Sequence, residues 1–547
     1  YEAPAGLIEG EIRAKWQYKI KNERLIYAFE SDTKIDDEIL KEELGKNGDV
    51  RLKNIVRTIQ KEQNAIIRNT KDKILAIQGA AGSGKTSVAL HRIAYLLYHD
   101  RKNLKSSNIL ILSPNSVFAD YISHILPELG EENIREMSFD LFAYRELKDT
   151  AADCEDRYHQ LERLMRCSDA RSAERYHEKQ SEAFIGQTEG FLASLEDALL
   201  DFKDVEFREM KLTEEELIRL FYFKFKETPL LARMDAVMEY FIDAYETLHG
   251  RSLSDEERER LQGKFDQMYV TKDIYEIYNM LMEECGYPKL PKASYEKRLI
   301  EYEDVFPMLY LKYRLKGTKA HKHIKHLVID EMQDYSYLQY VILQNLFSCR
   351  MTILGDRAQT LDEKPHDVLA FLPRIFGKGI RKIVMDKSYR NTVEIADYAA
   401  RISGIEGTEL LNRHGKPVEE QTFFKEEEML DAICENLNLG ENEENSVNAA
   451  RSSEGYETAA VLTMTEGEAI AIYRLLKNRG IEASYVDRDS SLFKKGLTVT
   501  TFYLAKGLEF DQVFEIQGDK ENPLLGQAAY ICATRALHEL YVYCLEG

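Results

Sequence analysis

The stretch GAAGSGKT, residues 79 to 86, constrains this chain more than any other. It fits the pattern GxxxxGK[ST]; the apolar run ILAIQ before it reads as a buried parallel strand, and SVALHRIAYLL after it has helical periodicity. Glycines at such a strand-to-helix turn let backbone amides surround a phosphate chain at a helix N-terminus. Gly79, Ala80, Ala81, Gly82, Ser83, Gly84, Lys85, Thr86 and Ser87 are therefore candidate nucleotide-binding residues. HLVIDEMQD, 326 to 334, supplies the partner motif. A strand ending in Asp330-Glu331 places one carboxylate to hold magnesium with Thr86, and the next to orient or deprotonate water. The two motifs together point to ATP with Mg2+.

The loop also sets the organisation. From 51 to 142 the pattern alternates helix and strand (NILILS, then the helix VFADYISHIL), as in a parallel sheet. From 143 to 320 strand signals cease and helical periodicity takes over (TEEELIRLFYFKF, MDAVMEYFIDAYETL). Strand signals return at HLVID, MTILGD and IRKIVM, then at AAVLTM, ASYV, LTVTTF and DQVFEI. The expected fold class is α/β, with two domains of the P-loop type, a helical insertion in the first and a small β-containing segment in front. The expected domains are 1–50; 51–142 plus 321–378; 143–320 as the insertion; and 379–547. In the first of these, WQYKI and LIYAF read as short strands, with Trp16 expected to be buried against them, and DDEILKEELG reads as a helix. The polar part of 425–457 reads as an exposed connection.

Composition narrows the partners. No run approaches the eighteen or so apolar residues of a membrane span. Seven scattered cysteines without CxxC suggest neither a disulfide framework nor a zinc site, and fit a reducing cytoplasm. The net charge is -21, and residues 151–300 hold 33 Asp+Glu against 22 Lys+Arg, so any grip on nucleic acid is expected to be local. HKHIKH, 321 to 326, contains possible metal ligands, but strand alternation separates them and no metal site is expected. Tyr222, Phe223 and Phe225 lie at helical spacing and are expected to pack rather than stack on bases. The chain begins at Tyr1 without an initiator methionine and is expected to continue upstream.

GAAGSGKTSVALHRIAYLL, DEMQD, LGDRAQT, KSYRN, AVLTM, LAKGLEFDQVF and YICATRAL resemble, in order and wording, superfamily 1 helicases of the UvrD, PcrA and Rep kind. YEAPAGLIEGEI and TIQKEQNAIIRN add a resemblance to the HelD family, UvrD-like ATPases that associate with bacterial RNA polymerase. The resemblance implies two RecA-like domains closing on one ATP. It implies that Gln63 reads the adenine edge, Arg92 contacts the nucleotide, and Lys85 holds the β and γ phosphates. Gln359 would sense the γ phosphate, Tyr389 would stack on adenine unless it is simply core, and Arg390 would reach the γ phosphate. Glu509 would meet the ribose, and Arg535 would be the arginine finger. The catalytic set is then Lys85, Glu331, Gln359, Arg390 and Arg535.

The chain departs from the helicase pattern in four ways. Only about forty residues separate AAVLTM from LAKGLEF, where those helicases carry an accessory domain. GDRAQTLDEKPHD lacks the aromatic residues that stack on DNA, Tyr503 stands where they have His, and the insertion is acidic. Together with the HelD resemblance, these imply a monomeric remodeller that releases nucleic acid from RNA polymerase after an upstream coiled-coil arm has engaged it. The alternative is a 3′ to 5′ single-stranded DNA translocase acting in repair.

Overall fold

The computed structural model describes residues 2–3, 6–7, 14–21, 23–30, 40–41, 50–114, 134–166, 170–362, 367–404, 409–439, 456–488, 495–518 and 522–546. The expected helix VFADYISHIL, nearly all of DDEILKEELG and the polar stretch 440–455 lie outside the described residues.

After a short antiparallel pairing of Glu2–Ala3 with Gly6–Leu7 comes an antiparallel hairpin, β1 (Trp16–Lys21) and β2 (Arg24–Glu30). Gln17 faces Phe29 and Lys19 faces Tyr27, whereas Trp16 faces Glu30 and Tyr18 faces Ala28. Because side chains alternate between faces, covering one face of the hairpin covers only one set. Tyr27 and Phe29 pack with Val56, Ile59, Tyr389 and Leu411. Trp16, expected to be buried, falls in the other set and is 58% exposed.

The first sheet contains β3 (Ile74–Gly79), β4 (Ile109–Leu112), β5 (Arg135–Met137), β6 (His326–Ile329), β7 (Arg350–Gly355) and β8 (Ile380–Met385). Their order is β8-β3-β7-β6-β4-β5, and every pair is parallel. The central strands are apolar without alternation because both faces are covered. One face packs against α2 (Lys85–His99) and the end of α1 (Val50–Ile67), through Val88, Ile93, Leu97 and Ile66. The other face meets Phe139, Phe306 and Tyr335. β8 lies beyond the expected boundary at 378 and belongs to this sheet, where it adds an outer strand beside β3.

Between β5 and β6 the chain is mainly helical. It starts with α3 (Phe139–Leu147) and α4 (Arg157–Arg166) and ends with α5 (Tyr302–Lys316). Residues Tyr302 to Leu311 are all buried, which makes α5 the centre of this part. Its Glu303 and Asp304 both pair with the buried Lys179, at 2.7 and 2.6 Å. A short hairpin, Val205–Phe207 with Met210–Leu212, interrupts the helices. Tyr222 and Phe225 pack against the helical core, as expected, whereas Phe223 projects to solvent and is 79% exposed.

The second sheet contains β9 (Glu419–Phe423), β10 (Thr458–Thr463), β11 (Ala483–Tyr485), β12 (Gly496–Thr501), β13 (Phe510–Gln517) and β14 (Ala536–Leu545). It is again parallel throughout, in the order β9-β14-β13-β10-β12-β11. α6 (Val393–Ser403) and α7 (Leu525–Arg535) contribute to its core on one side, with Leu161 of α4. Helices Glu426–Asn436 and Glu466–Asn478 cover the other. Among the described residues, no helix is long and apolar enough to cross a membrane.

Candidate functional site

The loop after β3 turns on two glycines in the left-handed region, Gly82 at φ +70° and Gly84 at φ +80°. A Cβ on Gly84 would lie 2.1 Å from the Tyr389 hydroxyl, and one on Gly82 would lie 2.7 Å from Asn391 Oδ1. Lys85 opens α2 and folds its ammonium back onto the carbonyls of Gly79 (3.0 Å) and Ala80 (2.9 Å), 3.9 Å from Asp356. Burial draws this ammonium below its usual pKa, against the pull of Asp356 and Glu331.

β6 delivers Asp330 and Glu331 beside the loop. Glu331 has φ 52°, a left-handed conformation that a non-glycine residue adopts only when its surroundings hold it there. Gln333 donates to the Glu331 carboxylate and accepts from the Asp356 amide at 3.0 Å. Burial, reinforced by Glu331, pushes Asp330 up to about 8. Burial also raises Glu331, but Lys506, Arg535, Gln333 and Lys85 outweigh it and leave this carboxylate below its ordinary value. Adjacent acids with opposed shifts can divide the work: one suits a divalent cation, which would displace its proton, and the other stays ionised as a base.

The second sheet's side of the cleft contributes cations. Lys506 donates to the Gln359 carbonyl at 2.6 Å and to Asp334, and lies 3.8 Å from Glu331. Arg535, at the end of α7, donates to the Leu508 carbonyl at 3.1 Å and to the Thr534 hydroxyl at 3.3 Å. Gln359 donates to the same hydroxyl at 3.4 Å, so the two sides meet at Thr534. Arg390 pairs with Glu509 and donates to Ser87 at 2.8 Å.

Beside the loop lies a cavity of about 190 Å³ lined by Gln60, Gln63, Ser87, His91, Tyr95 and Tyr389. Gln63 donates to the Tyr389 hydroxyl at 3.2 Å. The His91 ring donates through Nδ1 to the Ser87 carbonyl at 2.7 Å. Across the loop a larger cleft of about 1190 Å³ separates it from α6 and Tyr530.

Lys85, Asp330, Glu331, Gln359 and Arg535 converge, and Gln63, Tyr389, Arg390, Glu509, Thr86 and Ser87 adjoin them. Arg92 does not join them. It is buried, donating to the Ile66 carbonyl of α1 at 2.8 Å and to Thr352 Oγ1 of β7 at 3.1 Å, and Thr352 pairs with Leu75 near the start of β3, at the far end of that strand from the loop. His326 also meets Thr352, at 3.0 Å, and burial depresses it to about 3, so it stays neutral. Among the described residues, no group of three or more His, Cys, Asp or Glu is placed to hold a metal. Sequence reasoning missed Gln333, Asp334, Asp356, Lys506 and Thr534, which only long-range folding joins. It also missed His91 and Tyr95, which follow Ser87 at successive intervals of four and so lie on one helix face.

A nucleoside triphosphate fits this arrangement. Gly82 and Gly84 bring the loop so close to Asn391 and Tyr389 that a Cβ there would clash. Ser83 Oγ and Arg535 Nε are buried without a hydrogen-bond partner among the described residues, and Lys85 bonds only to loop carbonyls.

Comparisons with known proteins agree. The ATP-dependent DNA helicases PcrA of Staphylococcus epidermidis strains RP62A and ATCC 12228 are each 38% identical over 79 residues, which is 14% of this chain and 10% of theirs. The chain thus matches about a tenth of these relatives' length. The crystal structure of the C-terminal domain of a possible DNA helicase from Lactobacillus plantarum WCFS1 shares 27% identity over 29% of this chain and 88% of that one, with a TM-score of 0.22, too low to bear on the fold. Residues 59–361, more than half of the chain, match the UvrD/REP helicase N-terminal domain, and the chain belongs to that helicase family.

Proposed function

We propose that the chain is an ATP-dependent remodelling factor of the HelD kind, which closes two RecA-like domains on ATP to release nucleic acid from bacterial RNA polymerase. The observation that carries the ATPase reading is the approach of Arg535 and Lys506 from one sheet toward Lys85 and Glu331 of the other. Lys85 and the loop amides hold the phosphates, Glu331 orients the attacking water and takes its proton, and Arg535 and Arg390 meet the charge that develops on the transferring phosphoryl group. Gln63 and Tyr389 form the base end, and Glu509 lies at the ribose position. Thr86 and Asp330 would hold Mg2+, which would supply positive charge against the phosphates.

Two contacts favour a protein target over a DNA track. Thr360, Leu361 and Asp362, which follow Gln359 where DNA-stacking aromatics are expected, are buried, with Asp362 bound to Arg157 of α4. Tyr503 donates to Glu162 of the same helix at 2.7 Å. The ATP site is therefore wired to the helical insertion at positions where helicases of this family would engage DNA.

The PcrA likeness favours the second reading, a single-stranded DNA translocase. Steady-state ATP hydrolysis by the chain and by Glu331→Gln, each alone, with core RNA polymerase and with single-stranded DNA, separates the two. Polymerase binding with turnover insensitive to DNA supports remodelling. Strong DNA stimulation that disappears in Glu331→Gln, without polymerase binding, replaces it with translocation.

A further inference from the structure

The phosphate loop lies where the strands of the first sheet end; the rim where they begin is basic, in a chain of net charge -21. Segments 68–73, 100–108, 318–325, 347–350 and 377–379 lead into β3, β4, β6, β7 and β8, and together hold eleven Lys and Arg against Asp72 and Asp100. All of these cations are exposed. Parallel strands enter from the same side, so the segments share one edge. The backbone ties them together: the Arg350 amide donates to the Lys325 carbonyl at 3.2 Å, the Lys325 amide to Asn108 at 2.8 Å, and the Met351 amide to Lys73 at 2.9 Å. With strands about 4.8 Å apart, the five entries span about 19 Å. Each segment also follows the C-terminus of a helix (α1, α2, α5, Tyr337–Leu346 and Val368–Phe376), where cations offset the helix dipole. Five such ends amount to roughly 2.5 negative charges, far short of the excess of nine cations. Among the described residues none of the eleven is ion-paired, whereas Lys312 and Lys316, just upstream, are held by Asp149.

From this we infer that the strand-entry rim of the first sheet docks an acidic protein surface. Tyr98, in the last turn of α2 and 75% exposed, adds an aromatic contact of the kind enriched at protein interfaces. Phosphate sites draw on helix N-terminal amides and the planar fork of arginine. This rim instead presents helix C-terminal carbonyls, with eight lysines to three arginines. Carboxylates on a partner reach the ends of long lysine side chains without approaching those carbonyls. Docking here leaves the cleft free, because Ile74 and Gly79, at the two ends of β3, are five steps or about 16 Å apart. The inference rests neither on ATP turnover nor on the polymerase reading.

The full chain is titrated with labelled oligoglutamate and with a labelled DNA duplex, following anisotropy. One variant combines Lys105→Glu, Lys322→Glu and Lys378→Glu; a control combines Lys425→Glu, Lys477→Glu and Lys495→Glu, at exposed lysines beside the second sheet. The expected result is oligoglutamate binding that weakens as salt rises and falls about thirtyfold in the rim variant, but less than about twofold in the control. Basal ATP hydrolysis should be unchanged in both. Each single rim reversal should weaken binding about threefold, which keeps the test decisive if the triple variant unfolds. Absence of oligoglutamate binding, or equal loss in rim and control variants, overturns the inference. A duplex bound more tightly than oligoglutamate, and lost in the rim variant, also overturns it and assigns the rim to nucleic acid.

Discussion

The two six-stranded sheets are alike in construction and opposite in what they bring to the cleft. Both are parallel throughout and covered on both faces. The first presents the phosphate loop with its lysine and the carboxylates Asp330, Glu331 and Asp356. The second side presents Lys506 and Arg535, with Arg390 on the segment joining them. On the proposed reading neither unit holds a complete set for ATP hydrolysis, so that completing the site and bringing the units together would be one event. Cations also hold Glu331 below its ordinary pKa, while burial raises its neighbour Asp330.

Removing the first sheet's contribution should have the largest effect: Lys85→Ala is expected to abolish both nucleotide binding and measurable turnover, as checked by nucleotide titration and phosphate release. Arg535→Ala tests the second side. It should lower kcat about a thousandfold with little change in KM, because the cation acts on charge that develops in the transition state. An equal loss in KM would mean that the two sides differ in binding rather than in catalysis. Lys506→Met should lower kcat about a hundredfold, an effect of the size seen for one lost electrostatic partner. It should also move the acid limb of the pH–rate profile upward, since burial would then dominate at Glu331. Tyr27→Ala, which removes packing behind Tyr389, should raise KM for ATP about tenfold and leave kcat nearly unchanged.

The smallest expected effect concerns stability. Burial raises Glu515 of β13 to about 7, and its Oε2 has no hydrogen-bond partner among the described residues. A carboxyl raised in the folded state loses stability as pH climbs from about 4.5 through 7. Glu515→Gln should therefore be nearly neutral at pH 5 and stabilising by about 1–3 kcal/mol at pH 8, as measured by denaturant unfolding.

Arg92 shows where sequence reading failed. HRIAYL places His91 and Arg92 one residue apart, and one helical step rotates a side chain by about 100°. The structure turns His91 to the small cavity and Arg92 to the Ile66 carbonyl. Trp16 failed by parity: the alternation of the hairpin was readable, but not which face would be covered. The boundary near 378 failed because IRKIVM reads as a strand whichever sheet it joins; its pairing with β3 is a matter of distance in space.

By itself the sequence determined the phosphate loop, the carboxylate pair after β6, the alternation of strands and helices, and the helical insertion. Each is written in neighbouring residues, because turn glycines, capping positions and apolar periodicity act over a few residues. Only the tertiary structure decided that Lys506 and Arg535 approach Glu331, that Tyr503 binds Glu162, and that Tyr389 packs between the loop and the hairpin. Those contacts join residues far apart in the chain, and their geometry follows from how two sheets and their helices pack, which no local pattern encodes.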